Sequence, residues 1–167
     1  MEFFTADLCD EYPDKTYLLD NEFKNYGGKQ KVCGSVVTVK LDRNNSELIS
    51  ILRDEDGSGK IVVVDVEDEY FAVVGENLMK FAAQNNYEGI IVNGYVRDTV
   101  QIKDIPVALY ARGTCSRKYI PVTKGERGID VSFCGINFAL TAMAILTSYP
   151  ELNVGDVKKI MLNSAKK

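Results

Sequence analysis

The sequence contains no histidine, and this absence excludes several kinds of active site. A Ser-His-Asp triad, a Cys-His pair and a phosphohistidine carrier all need an imidazole, and so does a histidine-ligated metal. Any chemistry must therefore come from carboxylates, arginine, lysine, tyrosine, backbone amides or a metal ion held by oxygen atoms.

Paired cysteine motifs are also missing. The four cysteines lie far apart and none belongs to a CxxC pair; they are Cys9, Cys33, Cys115 and Cys134. This spacing predicts neither a zinc site nor a redox motif. In a cytoplasmic protein we expect reduced, half-buried thiols.

Long apolar runs and a strong positive charge are absent as well. No stretch approaches the ~18 apolar residues of a transmembrane helix, and the apolar run near the N-terminus is too short for a signal peptide. The net charge of −4 and the pI of about 5.0 argue against a dedicated nucleic-acid binder. The 167 residues predict one soluble, cytoplasmic domain with no membrane partner and no direct nucleic-acid partner.

The polar segment 54–60, DEDGSGK, resembles two ligand-binding loops but satisfies neither. As a phosphate loop it has Asp54 where the first glycine belongs and Ile61 where a serine or threonine belongs. As a calcium loop its first and twelfth positions would be Leu52 and Val63, which cannot ligate a cation. The segment is predicted to be a polar turn.

The segment 112–127 is rich in basic residues. An acidic partner or RNA would suit such a segment, but it carries no interleaved aromatics and no recognised RNA-binding motif. We therefore predict a solvated loop. Its basic residues are Arg112, Arg117, Lys118, Lys124 and Arg127.

Helical and strand patterns alternate along the chain, which favours an α/β fold. Helices are predicted where apolar residues recur at helical spacing, and strands where β-branched or apolar runs occur. The predicted helices are 6–12 after an N-cap at Thr5, 44–56, 76–86 and 154–167. The predicted strands are 32–40, 60–66, 89–94, 105–111 and 129–138.

Arg97 and Asp98 follow a buried strand almost at once, and their position relative to the preceding helix is informative. That helix, with about 11 residues from Glu76, is roughly 16 Å long, and the strand to Gly94 spans roughly 17–20 Å. Because a strand returns antiparallel to the helix before it, similar lengths bring Arg97 and Asp98 beside the helix N-terminus. In open α/β sheets this edge is where ligands bind.

The groups expected at this edge suit an anionic ligand and a divalent cation. The first helical amides lack intrahelical partners and favour a carboxylate, and Gly75 permits close approach of the ligand. Arg97 offers a charged fork for a carboxylate or an oxyanion. Asp98, with Glu76 near it, offers oxygen ligands for Mg²⁺ or Mn²⁺, and a 2-oxo acid would fit such a site. A solvated ion pair on a loop is the alternative explanation of the Arg-Asp pair.

The sequence resembles one known family over most of residues 5–138. Its most specific stretch is an acidic residue, twenty intervening residues and Arg-Asp, here Glu76 followed by Arg97 and Asp98. This pattern is similar to that of the class II pyruvate aldolase / regulator-of-ribonuclease-E-activity-A family, which includes 4-hydroxy-4-methyl-2-oxoglutarate aldolases. The matching stretches are TADLCDEY (5–12), CGSVVTVK (33–40), GKIVVVD (59–65), GENLMKFAAQNNYEGIIVNGYVRD (75–98), YARGTCSRK (110–118) and GERGIDVSFCGINF (125–138).

The resemblance implies a fold, an assembly and a reaction. The fold would be a single swivelling β/β/α domain with a mixed central sheet flanked by helices, and the assembly a homotrimer with sites near subunit interfaces. The reaction would be retro-aldol cleavage of 4-hydroxy-4-methyl-2-oxoglutarate to two pyruvates, dependent on Mg²⁺ or Mn²⁺. Oxaloacetate would be decarboxylated through the same pyruvate enolate.

The resemblance also implies a role for each site residue. Arg97 would contact the pyruvyl group and the enolate oxygen, and Asp98 would ligate the metal. Glu76 would act beside them in catalysis by positioning a water or the metal. The substrate carboxylate would be held by the backbone amides of Gly75, Glu76, Asn77 and Leu78.

The sequence departs from the family pattern at three places. Glu76 stands where the aldolases usually carry aspartate, and DVEDEY (65–70) replaces a glycine-rich stretch. After residue 138 the family's Pro-Gly-Asp turn and Ala-Asp-x-Asp-Gly segment are replaced, so the part 139–167 is atypical. Within it, residues 144–152 are predicted to form a terminal strand.

Two functions remain open from the sequence, beside a degenerate scaffold that has neither. The first is the metal-dependent aldolase and decarboxylase, and the second is a non-catalytic regulator that binds and inhibits ribonuclease E. Regulators of this family can lack carboxylates at the positions of Glu76 and Asp98, whereas this chain has both. The acidic pair favours the enzyme, while the basic segment 112–127 and the altered C-terminal part keep the regulator as the alternative.

Overall fold

The computed structural model describes residues 4–118, 125–139, 142–147 and 159–162. Within them the helices are α1 (Thr5–Glu11), α2 (Ser46–Asp54), α3 (Glu76–Gln84) and α4 (Thr99–Ile102). The strands of the first half are β1 (Thr16–Leu18), β2 (Lys24–Asn25), β3 (Lys31–Lys40), β4 (Lys60–Asp65) and β5 (Ala72–Val74). The remaining strands are β6 (Gly89–Val96), β7 (Ala108–Thr114), β8 (Glu126–Arg127), β9 (Val131–Phe133), β10 (Ile136–Phe138), β11 (Met143–Thr147) and β12 (Lys159–Leu162).

Ten of these strands form one mixed sheet in the order β1-β12-β11-β3-β4-β6-β7-β2, with β5 beside β6 and β8 beside β3. The central strands β3, β4, β6 and β7 are parallel, whereas β11, β12 and β2 pair antiparallel with their neighbours. The remaining two strands, β9 and β10, form a separate hairpin. The predicted α/β fold with a mixed central sheet flanked by helices is therefore confirmed.

The central strands are buried on both faces because their apolar residues alternate between two cores. In β4, Val62 and Val64 point to the helical side, while Ile61 and Val63 point to the other side. Such a strand carries an almost continuous apolar run, which is why the sequence pattern identified it. The sheet is thus the middle layer of the molecule.

Each face of the sheet has its own covering layer. On one face lie α2, α3 and α4, whose buried residues include Leu48, Met79 and Ile102. On the other face lie the hairpin of β9 and β10 and the segment around Phe23. Phe133 of the hairpin stacks on Phe23 with ring centroids 5.8 Å apart.

Two predicted elements differ from the structure. Residues 129–138 are not one strand, because Cys134 and Gly135 have φ values of 54° and 70° and turn the chain into a hairpin. The predicted C-terminal helix is wrong over Lys159–Leu162, which forms a strand between β1 and β11. The rest of 154–167 lies outside the described residues.

The ends of other elements also shift. The N-cap of α1 is Phe4 rather than Thr5, which is the first helical residue and is buried. The strand predicted over 144–152 is confirmed for its described part, since β11 pairs with β3, but it is not the terminal strand because β12 follows it. Residues 148–152 lie outside the described residues.

Arg112 contradicts the prediction of a solvated basic loop. Its side chain is 17% exposed, and its guanidinium pairs with Glu22 and lies 3.8 Å from the Asp20 carboxylate. Arg127 is also paired, with Nε 2.9 Å from Glu47 Oε1. Residues 119–124 of the segment lie outside the described part of the chain.

The four cysteines are free thiols, as predicted. The predicted half-burial is confirmed for Cys9 and Cys134, but it is wrong for Cys115, which is buried, and for Cys33, which is exposed. In the described part of the chain, no helix is both long and apolar enough to cross a membrane.

Tyr87→Phe tests how the helical layer is attached to the sheet. The Tyr87 side chain is 1% exposed, and its hydroxyl donates to the Ile51 carbonyl of α2 at 2.8 Å. Losing this buried hydrogen bond should lower the free energy of unfolding by about 1 kcal/mol. Urea denaturation at neutral pH measures the change, and Tyr17→Phe, at an exposed position of β1, is the control.

The same pair of variants has a pH signature. Burial, with the nearby charges of Glu55 and Asp56, raises the pKa of Tyr87 to about 12. In the unfolded chain the phenol ionises near its ordinary pKa, so the folded state loses stability as pH rises from there toward 12. The stability difference between wild type and Tyr87→Phe should therefore shrink over that window. A constant difference would contradict this role of Tyr87.

Candidate active site

A bulge in β6 redirects the chain toward the site. Val92 pairs with Ala111 of β7, but Tyr95 pairs with Gly113, so β6 contains one extra residue between the two pairs. Gly94 lies in this interval, where any side chain would overlap that of Val66. A bulge bends its strand, and beyond this one the end of β6 pairs with β5 as well as with β7.

A row of polar side chains holds the bulge in place. Asn93 Nδ2 donates to Asp65 Oδ1 at 2.8 Å, and Arg112 Nε donates to Asn93 Oδ1 at 2.7 Å. These three residues belong to the neighbouring strands β4, β6 and β7. Since Asp65 and Asn93 are both buried, their hydrogen bonds offset the cost of burying polar groups.

The short strand β5 then brings the start of α3 beside the end of β6. Arg97 N donates to the Val74 carbonyl at 3.0 Å, and the next residue, Gly75, is the N-cap of α3. The sequence predicted this meeting of helix start and strand end from their lengths, and the structure confirms it.

Gly75 is required at this meeting for reasons of space. Its φ of −141° is an extended conformation that any residue adopts. A Cβ at this position, however, would lie 2.5 Å from Asp98 Oδ2 and 3.1 Å from Arg97 Cγ. The glycine therefore allows the Arg-Asp pair to pack directly against the backbone of the helix start.

Asp98 is held in an unusual conformation at the centre of the site. Its φ and ψ are 58° and 37°, a left-handed conformation that aspartate tolerates better than most side chains. Its Oδ2 accepts a hydrogen bond from the Glu76 amide at 3.1 Å and lies 3.6 Å from Arg97 Nε. The surrounding contacts thus fix both the backbone and the carboxylate of Asp98.

Glu76 forms an ion pair along its own helix. Its Oε1 lies 2.7 Å from Lys80 Nζ, one helical turn away. This pairing was not predicted from the sequence, although the spacing of Glu76 and Lys80 at i and i+4 was the available signal. The negative charge of Glu76 is therefore partly balanced within α3.

An open cleft of about 280 Å³ lies over the start of α3. All six of the site residues predicted from the sequence line it. The cleft also includes Asn45, Ala72, Val73 and Lys118, which the site prediction missed. Of these, Lys118 was noted only as part of a basic segment, and nothing in the sequence connected Asn45, the N-cap of α2, with this edge. The predicted six are Gly75, Glu76, Asn77, Leu78, Arg97 and Asp98.

A second cleft of about 330 Å³ adjoins the first. Arg97 and Asp98 line both, and the second is completed by residues of β7, α4 and the segment before β5, among them Tyr70, Thr99 and Thr114. The Asp98 side chain, 34% exposed, is therefore accessible from two sides.

The oxygen atoms of this site suit a magnesium-like cation. No cluster of three or more His, Cys, Asp or Glu side chains within the described residues could enclose a metal. Mg²⁺, however, is commonly held by one or two carboxylates, with waters and substrate oxygens completing its shell. The partly exposed Asp98 carboxylate, with Glu76 on the same cleft wall, fits this mode of binding.

A solved structure and a curated relative resemble the chain over most of its length. The "Putative 4-hydroxy-4-methyl-2-oxoglutarate aldolase" of Stutzerimonas stutzeri (strain A1501) is 35% identical over 139 residues, which cover 83% of this chain and 85% of that protein. The structure of "the RNA-processing inhibitor RraA from Thermus thermophilis" has a TM-score of 0.85 and 27% identity, covering 97% of this chain and 93% of that one.

A further solved structure carries a different name. It is described as an S-adenosylmethionine: 2-dimethylmenaquinone methyltransferase from Geobacillus kaustophilus HTA426, and its TM-score is 0.86 at 27% identity, over 98% of this chain and 96% of that one. The names of these three proteins thus describe three different functions. The family model described as RraA-like, Aldolase/RraA, matches residues 5–144, and the chain belongs to this family.

Proposed function

We propose that this protein is a divalent-metal-dependent lyase that cleaves 4-hydroxy-4-methyl-2-oxoglutarate to two molecules of pyruvate. The observation that carries the proposal is the convergence, in one cleft, of the α3 N-terminus, the Arg97 guanidinium and the Asp98 carboxylate. Relatives named as aldolases of this substrate, at about 35% identity, support the same choice.

The cleft offers separate groups for the two ends of a pyruvyl unit. The amides of Asn77 and Leu78 lie in the first turn of α3, where backbone N–H groups have no intrahelical acceptor and the helix dipole favours an anion. They would bind the C1 carboxylate of the substrate. Arg97 would contact the 2-keto oxygen and stabilise negative charge that develops there.

The reaction breaks one carbon–carbon bond. A base removes the proton of the C4 hydroxyl, the C3–C4 bond breaks, and its electron pair moves toward the C2 carbonyl to give the enolate of pyruvate. C4 becomes the keto carbon of the second pyruvate, and protonation of the enolate at C3 gives the first. Oxaloacetate would lose CO₂ to reach the same enolate, so both substrates would use one site.

Asp98 is the residue that would hold the cation, with Glu76 near it. A Mg²⁺ or Mn²⁺ ion, when bound, supplies Lewis-acid polarisation of the 2-keto oxygen. The left-handed backbone of Asp98 and its bond to the Glu76 amide keep the carboxylate oriented toward the cleft. Arg97 Nε, 3.6 Å from Asp98 Oδ2, orients the same carboxylate, and the guanidinium would face the substrate.

Asp98→Asn tests the proposal with little change in shape. Asparagine tolerates the left-handed conformation and still accepts a hydrogen bond from the Glu76 amide, but it lacks the negative charge. Because the charge holds the cation, kcat/KM should fall by at least about 100-fold. Pyruvate release from 4-hydroxy-4-methyl-2-oxoglutarate and from oxaloacetate is measured with Mg²⁺ or Mn²⁺ and then with chelator. Asp104→Asn, which removes an exposed carboxylate, is the control.

Oxaloacetate decarboxylates slowly in the presence of metal ions alone, so each rate is compared with protein-free buffer containing the same metal. Wild-type rates equal to buffer for both substrates would contradict the proposed enzyme. Full activity of Asp98→Asn, or full activity with chelator, would contradict the role of the metal.

Gly75→Ala tests the close approach on which the site depends. The added methyl would lie 2.5 Å from Asp98 Oδ2 and must displace the Arg-Asp pair. We expect kcat/KM to fall by about 10- to 100-fold, because misplaced catalytic groups are costly. Urea denaturation measures the free energy of unfolding in parallel, so that a loss of activity can be separated from a loss of stability. An unchanged kcat/KM in Gly75→Ala would contradict the requirement for glycine at this position.

A ribonuclease regulator is the second candidate, favoured by the similarity to a structure named as an RNA-processing inhibitor. Binding to ribonuclease E would not need the charge of Asp98, so a regulator should bind ribonuclease E equally well as wild type and as Asp98→Asn.

We also propose the homotrimer that the family resemblance implies. Light scattering after gel filtration measures the mass, and a monomer would contradict the trimer.

A further inference from the structure

We infer that Lys118 binds the second carboxylate of the substrate and makes the site selective for dicarboxylic 2-oxo acids. This inference rests on the proposed function and adds the residue that distinguishes one substrate class from another. Lys118 lines the same cleft as Arg97 and the start of α3.

Backbone pairing holds the segment that carries Lys118 at the cleft. Ala72 N donates to the Arg117 carbonyl at 2.7 Å, and Ala72 and Lys118 form a parallel bridge. Since Ala72 begins β5, which leads directly to α3, this bridge joins the segment to the strand that forms the cleft wall. The Lys118 side chain itself is exposed.

Within the described part of the chain, the carboxylates of the cleft pair with cations other than Lys118. Glu76 Oε1 lies 2.7 Å from Lys80 Nζ, and Asp98 Oδ2 lies 3.6 Å from Arg97 Nε. By contrast, no ion pair joins Lys118 to a carboxylate among residues 4–118, 125–139, 142–147 and 159–162. An ammonium in a cleft whose acids are already paired is available to a second anionic group.

A second helix begins at the same cleft. Asn45, the N-cap of α2, lines it and donates through Nδ2 to the Val73 carbonyl at 3.3 Å. The positive end of the α2 dipole therefore adds to the field that Lys118 creates. The cleft has two groups that attract anions, one at the start of α3 with Arg97 and the other at Lys118.

Two anion-binding groups match the chemistry of the proposed substrate. The C1 carboxylate would bind to the α3 amides, which leaves the C5 carboxylate, beyond the scissile bond, for Lys118. Pyruvate has a single carboxylate and would use the α3 end alone. Removing the Lys118 charge should therefore weaken cleavage of the dicarboxylate without weakening the enolisation of pyruvate.

Lys118→Gln tests this selectivity with two assays on the metal-loaded protein. We expect kcat/KM for 4-hydroxy-4-methyl-2-oxoglutarate to fall by about 10- to 100-fold, the usual loss for a charged hydrogen bond. Deuterium exchange into the methyl group of pyruvate in D₂O, followed by NMR, should be unchanged. Lys118→Arg, which keeps the charge, should recover most of the cleavage.

Lys60→Gln is the matched control. It removes the same charge at the first residue of β4, whereas the site lies at the carboxyl ends of the parallel strands. Unchanged cleavage by Lys118→Gln, or an equal loss in cleavage and exchange, would overturn the role of Lys118 alone. Wild-type protein inactive in both assays would overturn the proposed function, and this role with it.

Discussion

The site depends on the close packing of Asp98 and Arg97 against the backbone of Gly75. The Cβ of any other residue at position 75 would lie only 2.5 Å from Asp98 Oδ2, which is too close for two atoms that are not bonded. This close packing lets Asp98 accept a hydrogen bond from the Glu76 amide, and it places Arg97 beside the first turn of α3. The bulge in β6 and its pairing with β5 bring the two backbones together, so the fold around the site serves this one contact.

The architecture explains why polar groups gather at this edge. Asp65 is the last residue of β4, and Asn93, which pairs with it in β6, stands at the bulge. The bulge then separates two tasks. Asn93 stays in the buried row with Arg112, whereas Arg97 and Asp98, a few residues later, face an open cleft. A buried scaffold thus supports an exposed pair of charges.

Much of this arrangement could be predicted from the sequence, because it follows from periodicity and length. The apolar runs identified the parallel strands, and the equal lengths of helix and strand placed Arg97 near Gly75. The three residues of β5 are too few to show a period, and the hairpin depends on a left-handed Cys134 that no pattern signals. Lys118 reaches the cleft through a backbone bridge to a distant strand, a long-range contact that local sequence does not encode.

We propose that the α3 N-terminus, Arg97 and Asp98 bind one pyruvate-like ligand together with one divalent cation. A crystal structure with Mn²⁺ and oxalate, an analogue of the pyruvate enolate, tests this most directly. We expect Mn²⁺ on the Asp98 carboxylate, and oxalate in contact with the cation, with Arg97 and with the amides of Asn77 and Leu78. Oxalate and Mn²⁺ bound elsewhere, or Asp98 left without the cation at saturating Mn²⁺, would contradict it.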